Sequence, residues 1–154
     1  MPISIIGGDS LRERIAGIAD GMLPAIKAAA EDAMQTMKAD AVKNCPVDTG
    51  DLRGSIQAKV DIVDGNLEVQ LGSPLEYALY VEMGTGPKGE ANHAGTAPVG
   101  ATYRATGWVY HDEKGFHSTT GQPARPFLYP AYKANKQLLI GKLAEAVRKT
   151  VKGE

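Results

Sequence analysis

One cysteine, Cys45, among 154 residues excludes an internal disulfide, so nothing staples this chain covalently. Uncharged apolar runs are short as well. None approaches the ~18–20 residues that a membrane-spanning helix requires. The first eight residues lack a basic segment followed by a long apolar core, which argues against a secretory signal. Charge of one sign is also missing in total: 17 basic side chains oppose 18 acidic ones, a net of −1, which gives no reason to expect a dedicated nucleic-acid binder. What remains is one soluble domain over residues 1–154, of ordinary size at ~100–200 residues per domain. It is expected to fold in a reducing compartment, most simply a cytosol.

The charge is not evenly spread. Residues 1–82 carry 7 Lys/Arg and 13 Asp/Glu, residues 83–124 carry 3 of each, and residues 125–154 carry 7 basic and 2 acidic side chains. Three readings fit an acidic body with a basic C-terminal end. The two segments pack together and neutralise each other; the basic end touches nucleic acid; or complementary faces meet between copies and partners. The counts alone do not choose among them.

Periodicity sets out the elements. Leu11, Ile15, Ile18, Met22, Ile26, Ala29, Ala33 and Met37 recur at spacings of three and four, which predicts a helix over 10–44. Asp9 or Ser10 is its expected cap, with Glu13 completing a capping box, and Pro24 is expected to kink or break it. Residues 54–72 alternate as a hairpin around Asp64 and Gly65, a pair suited to a type I′ turn. Tyr77 to Met83 fits one or two helical turns ending at Gly84. Residues 84–121 are glycine-dense and aperiodic, so they are expected to form a flexible loop with one short strand near 107–111. A second helix over 126–152 places Leu128, Tyr132, Leu139, Leu143, Ala146, Val147 and Val151 on one stripe. The fold class is then α+β: a small antiparallel sheet of three to four strands against a long N-terminal helix and a C-terminal helix.

Chemistry is sparse. Cys45, His93, His111 and His117 have no partner at metal-ligand spacing, so neither a metal nor another cofactor is expected. Cys45 reads as a small buried hydrophobe, and nothing beside it in sequence nominates a base. The segment Gly84, Thr85, Gly86, Pro87, Lys88, Gly89 lacks P-loop spacing; its glycines suit backbone turns beside something closely packed. Asp48 before Thr49 and Gly50 reads as a turn or cap residue. Glu82, among Tyr80, Val81 and Met83, must be paired if buried, with Arg53 or Arg125 as natural partners. Lys133, Lys136, Lys142, Arg148 and Lys149 on the last helix form a candidate interface. No catalytic residue is nominated, and the chain is not expected to be an enzyme.

Three segments in order carry a resemblance. The first is Pro46, Val47, Asp48, Thr49, Gly50, Asp51, Leu52, Arg53, Gly54, Ser55, Ile56; the second runs from Tyr77 through Tyr80 and Glu82 to Gly84, Thr85 and Gly86; the third is Gly121, Gln122, Pro123, Ala124, Arg125, Pro126, Phe127, Leu128, Tyr129, Pro130, Ala131. Together they resemble the minor tail-component family of long-tailed phages and prophages, whose members act in the neck, in head–tail joining or in tail completion. The resemblance covers residues 41–134.

It implies a non-enzymatic virion protein of the head–tail junction, assembled in the host bacterial cytoplasm as a homo-oligomeric ring. Its implied partners are connector or head-closure proteins and tail-terminator or tail-tube proteins, with possible contact with packaged DNA and none with membrane. Tail terminator and head-closure protein are alternatives within that class. A DNA-binding accessory protein using the basic helix is the alternative outside it. In the implied fold the proline-rich third segment holds an extended approach to the last helix, and Phe127 anchors that helix in the core.

Overall fold

Small side chains at a steady spacing give the first helix its buried edge. In the computed structural model, which describes residues 8–154, α1 runs from Gly8 to Asn44 and buries Ala30, Ala33, Met34, Met37, Ala41 and, just past its end, Cys45. At 1.5 Å per residue it is about 55 Å long. Pro24 lies inside it, and the helix is assigned without interruption, which corrects the expected break. Pro24 and Asp20 are both exposed, so the proline lies on the solvent side of the helix, where its cost in helix bonding is least. The expected capping by Asp9 or Ser10 and the inward placing of Leu11 and Ile15 rest on side chains that are not described, and residues 1–7 lie outside the described residues.

After a proline corner, α2 (Asp51–Ser55) leads into β1 (Gln57–Val63), which pairs antiparallel with β2 (Asn66–Gly72). The hairpin thus begins at residue 57 rather than 54. Asp64 and Gly65 both have positive φ, 49° and 77°, as the expected turn requires. Register places Ala58 opposite Leu71, Val60 opposite Val69 and Ile62 opposite Leu67, so one face is apolar, and the ribbon lies against α1.

Next come α3 (Tyr77–Met83) and α4 (Gly86–Ala91), then β3 (Trp108–Asp112) paired with β4 (Gly115–Thr119), and finally α5 (Leu128–Lys152). The four strands form two separate two-stranded sheets rather than one sheet of three or four. The stretch 84–121 is therefore not an irregular loop with a lone strand. It holds a short helix and a second hairpin.

The glycines that obscured this region serve close packing. A Cβ on Gly89 would lie 2.7 Å from the Gly84 carbonyl carbon, and one on Gly86 would lie 2.7 Å from the Trp108 ring. The β3–β4 hairpin is pinned at its base, where Lys88 donates its backbone N–H to the Thr120 carbonyl at 3.2 Å, and beyond that it touches the other elements only slightly.

α5 runs antiparallel to α1: Gly21 lies by Thr150, Asp32 pairs with Lys142, and Asp40 accepts a hydrogen bond from Asn135. Its inner line is Leu128, Ala131, Asn135, Leu139, Leu143 and Ala146, whereas Tyr132 and Val151, placed on the apolar stripe by sequence, are exposed. A slightly different helix phase accounts for this. Ala131 and Asn135 are small enough to let the two helix backbones approach, and the bulkier Tyr132 turns outward. The core gathers Met34, Met37, Ala41, Cys45, Leu52, Ile56, Ala78, Phe127 and Ala131.

Candidate functional site

Glu82 is the organising residue of the central region. It is 6% exposed, in the last turn of α3, and its carboxylate accepts three backbone N–H groups: Phe127 at 2.7 Å, Leu128 at 2.9 Å and Tyr129 at 2.9 Å. These are donors that the start of α5 cannot satisfy within itself. They carry the positive end of the helix dipole, so one buried carboxylate answers both needs. The expected partners, Arg53 and Arg125, are not used. Arg53 donates Nη2 to the Cys45 carbonyl at 3.0 Å, and its Nε is buried without a partner among the described residues.

The segment ahead of α5 is stitched to the same region. Thr85 and Gln122 exchange backbone hydrogen bonds, Arg125 donates its N–H to the Val81 carbonyl at 2.8 Å, and Gln122 Nε2 donates to the Tyr80 carbonyl at 2.9 Å. Gly84 ends α3 with φ 77°, and a Cβ there would lie 2.6 Å from the Ala124 nitrogen. Pro123 and Pro126 hold this approach, and Phe127, fully buried, sits in the core.

The first segment forms the corner between α1 and α2. Thr49, rather than Asp48, supplies the turn's side-chain bonds: its hydroxyl donates to Asp51 Oδ2 at 2.7 Å and accepts the Asp51 N–H at 3.4 Å. Thr49 precedes the N-cap Gly50 and stands two residues before Asp51, so its short side chain reaches the first helical residue directly. Leu52 turns inward. Burial pushes the Cys45 thiol above its ordinary value, an effect that the nearby Arg53 charge only partly offsets.

All three segments meet at one cleft of about 460 Å³. Pro46, Asp48, Thr49, Gly50 and Leu52 line one side, Tyr77 another, and Pro123 and Arg125 the third. Arg53, Glu82, Pro126 and Phe127 do not line it; Tyr80, Gly84 and Thr85 face a second groove of about 860 Å³, reached together with Leu79, Val99 and Trp108. Sequence reading missed those last three because they lie in segments with no shared periodicity.

Elsewhere, His117 Nε2 lies 2.9 Å from Asp112 and His93 Nδ1 lies 2.6 Å from the Glu90 carbonyl, each a local contact. Among the described residues no group of three His, Cys, Asp or Glu side chains comes together as a metal site. No helix among them is long and apolar enough to cross a membrane.

Of the basic residues on α5, Lys142 pairs with Asp32 on α1 and Lys149 with Glu145 one turn before it at 2.9 Å. Lys133, Lys136 and Arg148 are exposed and make no ion pair among the described residues. Part of the charge division is thus answered within the chain.

Comparison with known families points to a phage tail component. Residues 9–84, 76 of the 154, match the model of the HK97-gp10_like family, described as "Bacteriophage HK97-gp10, putative tail-component". The match takes in the first two segments up to Gly84, while the third, with α4, β3–β4 and α5, lies beyond it. Comparison with curated proteins and with solved structures gives no match.

Proposed function

We propose that this phage structural protein joins head to tail, acting in the neck or in tail completion as a ring of identical subunits. The convergence of three segments, 79 residues apart at their extremes (Pro46 and Arg125), on one cleft carries the reading. Such a cleft, walled by loops that hydrogen bonds and a buried carboxylate hold rigidly, suits docking of a neighbouring virion protein. Connector or head-closure proteins on one side and tail-terminator or tail-tube proteins on the other are the partners of such a joint. The family match to phage tail components supports a structural rather than a catalytic role and a place in the virion.

The basic face of α5 does not favour DNA binding as the main task. Its Lys142 is engaged by Asp32, and among its aromatic residues Tyr129 is partly buried while Tyr132 stands at the opposite end from Arg148 and Lys149. Electron microscopy of phage lacking this gene tests the proposal. Separate filled heads and separate tails are expected; normal virions would refute it.

A further inference from the structure

Two apolar features lie open on different parts of this chain. The first is the groove of about 860 Å³ beside α3, where Leu79 is 63% exposed, Tyr80 54% and Val99 61%. Its lining is mostly apolar, and Arg104, stacked 5.5 Å from the Trp108 ring centroid, is the charged side chain in it. The second is one face of the β3–β4 hairpin. Register and alternation put Val109, His111, Phe116 and Ser118 on that face, and all four are exposed, Phe116 at 81%. Beside Phe116 the hairpin tip carries Asp112, held by His117 at 2.9 Å, with Glu113 and Lys114 in the turn.

These two features match each other in chemistry. One is an apolar hollow with a cation at its wall, and the other is a protruding Phe116 and Val109 with the Glu113 carboxylate, unengaged among the described residues, at the tip beyond them. They cannot meet within one molecule. Trp108 is at once the first residue of β3 and part of the groove wall, so the tip stands about 13 Å away along an extended strand. A two-residue turn at Glu113 and Lys114 gives it no way back.

We infer that the Phe116 face of one subunit seats in the α3 groove of a second copy of this chain. Knob and groove are different surfaces, so the contact is heterologous: each subunit uses its knob on one neighbour and offers its groove to another. A contact of this kind closes into a ring when the rotation between subunits allows it. The inference thereby rests on the proposed ring and supplies the surfaces that would build it. Glu113 would approach Arg104 of the receiving copy, which fixes the direction of insertion.

The test uses the full chain and two surface variants, Phe116→Thr in the knob and Leu79→Glu in the groove. Both positions are exposed, and far-UV circular dichroism with a thermal melt checks that each variant keeps the fold. Sedimentation velocity is expected to find oligomers of the unaltered chain and at least a tenfold weaker self-association for each variant alone. Mixed in equal amounts, the two variants retain one intact knob and one intact groove between them, so a one-to-one heterodimer is expected. Variants that assemble like the unaltered chain, a mixture that yields no heterodimer, or an unaltered chain that stays monomeric would overturn the inference. These outcomes are separate from the fate of the joining role. Oligomers indifferent to both substitutions, together with unjoined heads and tails on gene deletion, would sink the interface and leave the role standing.

Discussion

The Glu82 carboxylate holds the backbone N–H of Phe127 at 2.7 Å, across 45 residues of chain. That single bond ties the end of α3 to the start of α5, and the adjacent N–H groups of Leu128 and Tyr129 complete the cap. It also explains why a carboxylate sits in the core: the charge faces three donors and the positive end of a 25-residue helix instead of an arginine.

Removing that carboxylate should therefore cost more than an ordinary surface change. Glu82→Ala strands one buried donor and two partly buried ones, and hydrogen bonds to charged groups contribute about 1.5–3 kcal/mol each without adding fully, so a net loss of about 3 kcal/mol is expected. For a chain of this size the melting temperature should fall by about 6–12 °C. Glu82→Gln, which keeps one acceptor oxygen, should lose roughly half as much. Glu76→Ala, at the exposed start of α3 where the side chain makes no cap bond, should stay within about 0.5 kcal/mol. Equal melts for the Glu82 and Glu76 variants would contradict the assigned role.

Glycine-dense sequence here reflects contact more than mobility, and one pair of substitutions separates the two. Gly84 has φ 77°, and an added Cβ would meet the Ala124 nitrogen at 2.6 Å and the Gln122 oxygen at 2.9 Å. Gly84→Ala combines left-handed strain with overpacking against backbone, an expected cost of about 3 kcal/mol. Gly141 lies within α5 with open space where its Cβ would be. Gly141→Ala should instead raise stability by about 0.5–1 kcal/mol, as expected for alanine in a helix interior. Thermal or urea unfolding reads both, and a neutral Gly84→Ala would return this stretch to the flexible loop that its composition suggests.

That contrast marks where the sequence was readable. Long helices announce themselves through repeated three- and four-residue spacing, and the β1–β2 hairpin through alternation around Asp64 and Gly65, because both patterns are local. The second hairpin was half visible. Trp108 to Tyr110 reads as a strand, but its partner Gly115–Thr119 has Phe116 as its only large apolar side chain, and its turn lacks the usual glycine pair. α4 was hidden because glycines at 86 and 89 argue against a helix, and their reason, the Trp108 ring and the Gly84 backbone, lies far off in sequence. The site followed the same rule. Its apolar neighbours mark Glu82 as a carboxylate that must be paired if buried, but only the tertiary fold reveals that its partner is a helix terminus.

Cys45 offers a check on the packing at the corner. It is 2% exposed, its Sγ donates weakly to the Pro46 carbonyl at 3.5 Å, and burial raises its pKa. The native thiol should react with iodoacetamide at pH 8 at least about tenfold more slowly than in urea, since the thiolate is the nucleophile. The stability linkage has a defined sign. A raised native value gives a contribution that is full below the unfolded pKa of about 8.5 and is lost as pH rises toward the higher native value. Stability should then decline in that alkaline window, and Cys45→Ala should flatten the decline. Rapid labelling of the folded chain would show that the corner opens.

The packing of α1 on α5 turns on Asn135. It is 6% exposed, and its amide donates to Asp40 Oδ2 at 2.7 Å and to the Ala131 carbonyl at 2.9 Å. A buried amide bonded to a carboxylate fixes how far one helix slides along the other, since a shift of one turn would break the bond to Asp40. Asn135→Ala is expected to cost about 2 kcal/mol, within the range for a hydrogen bond to a charged group. Asp40→Ala removes the same bond from the other side, so the double variant should be less destabilised than the two single losses combined. A coupling of at least about 1 kcal/mol in urea unfolding would assign the register to this pair. The Asp32–Lys142 pair, half exposed on the same helix interface, should show coupling of only about 0.5 kcal/mol that fades in high salt. Additive losses at Asn135 and Asp40 would leave the helix alignment to apolar packing alone.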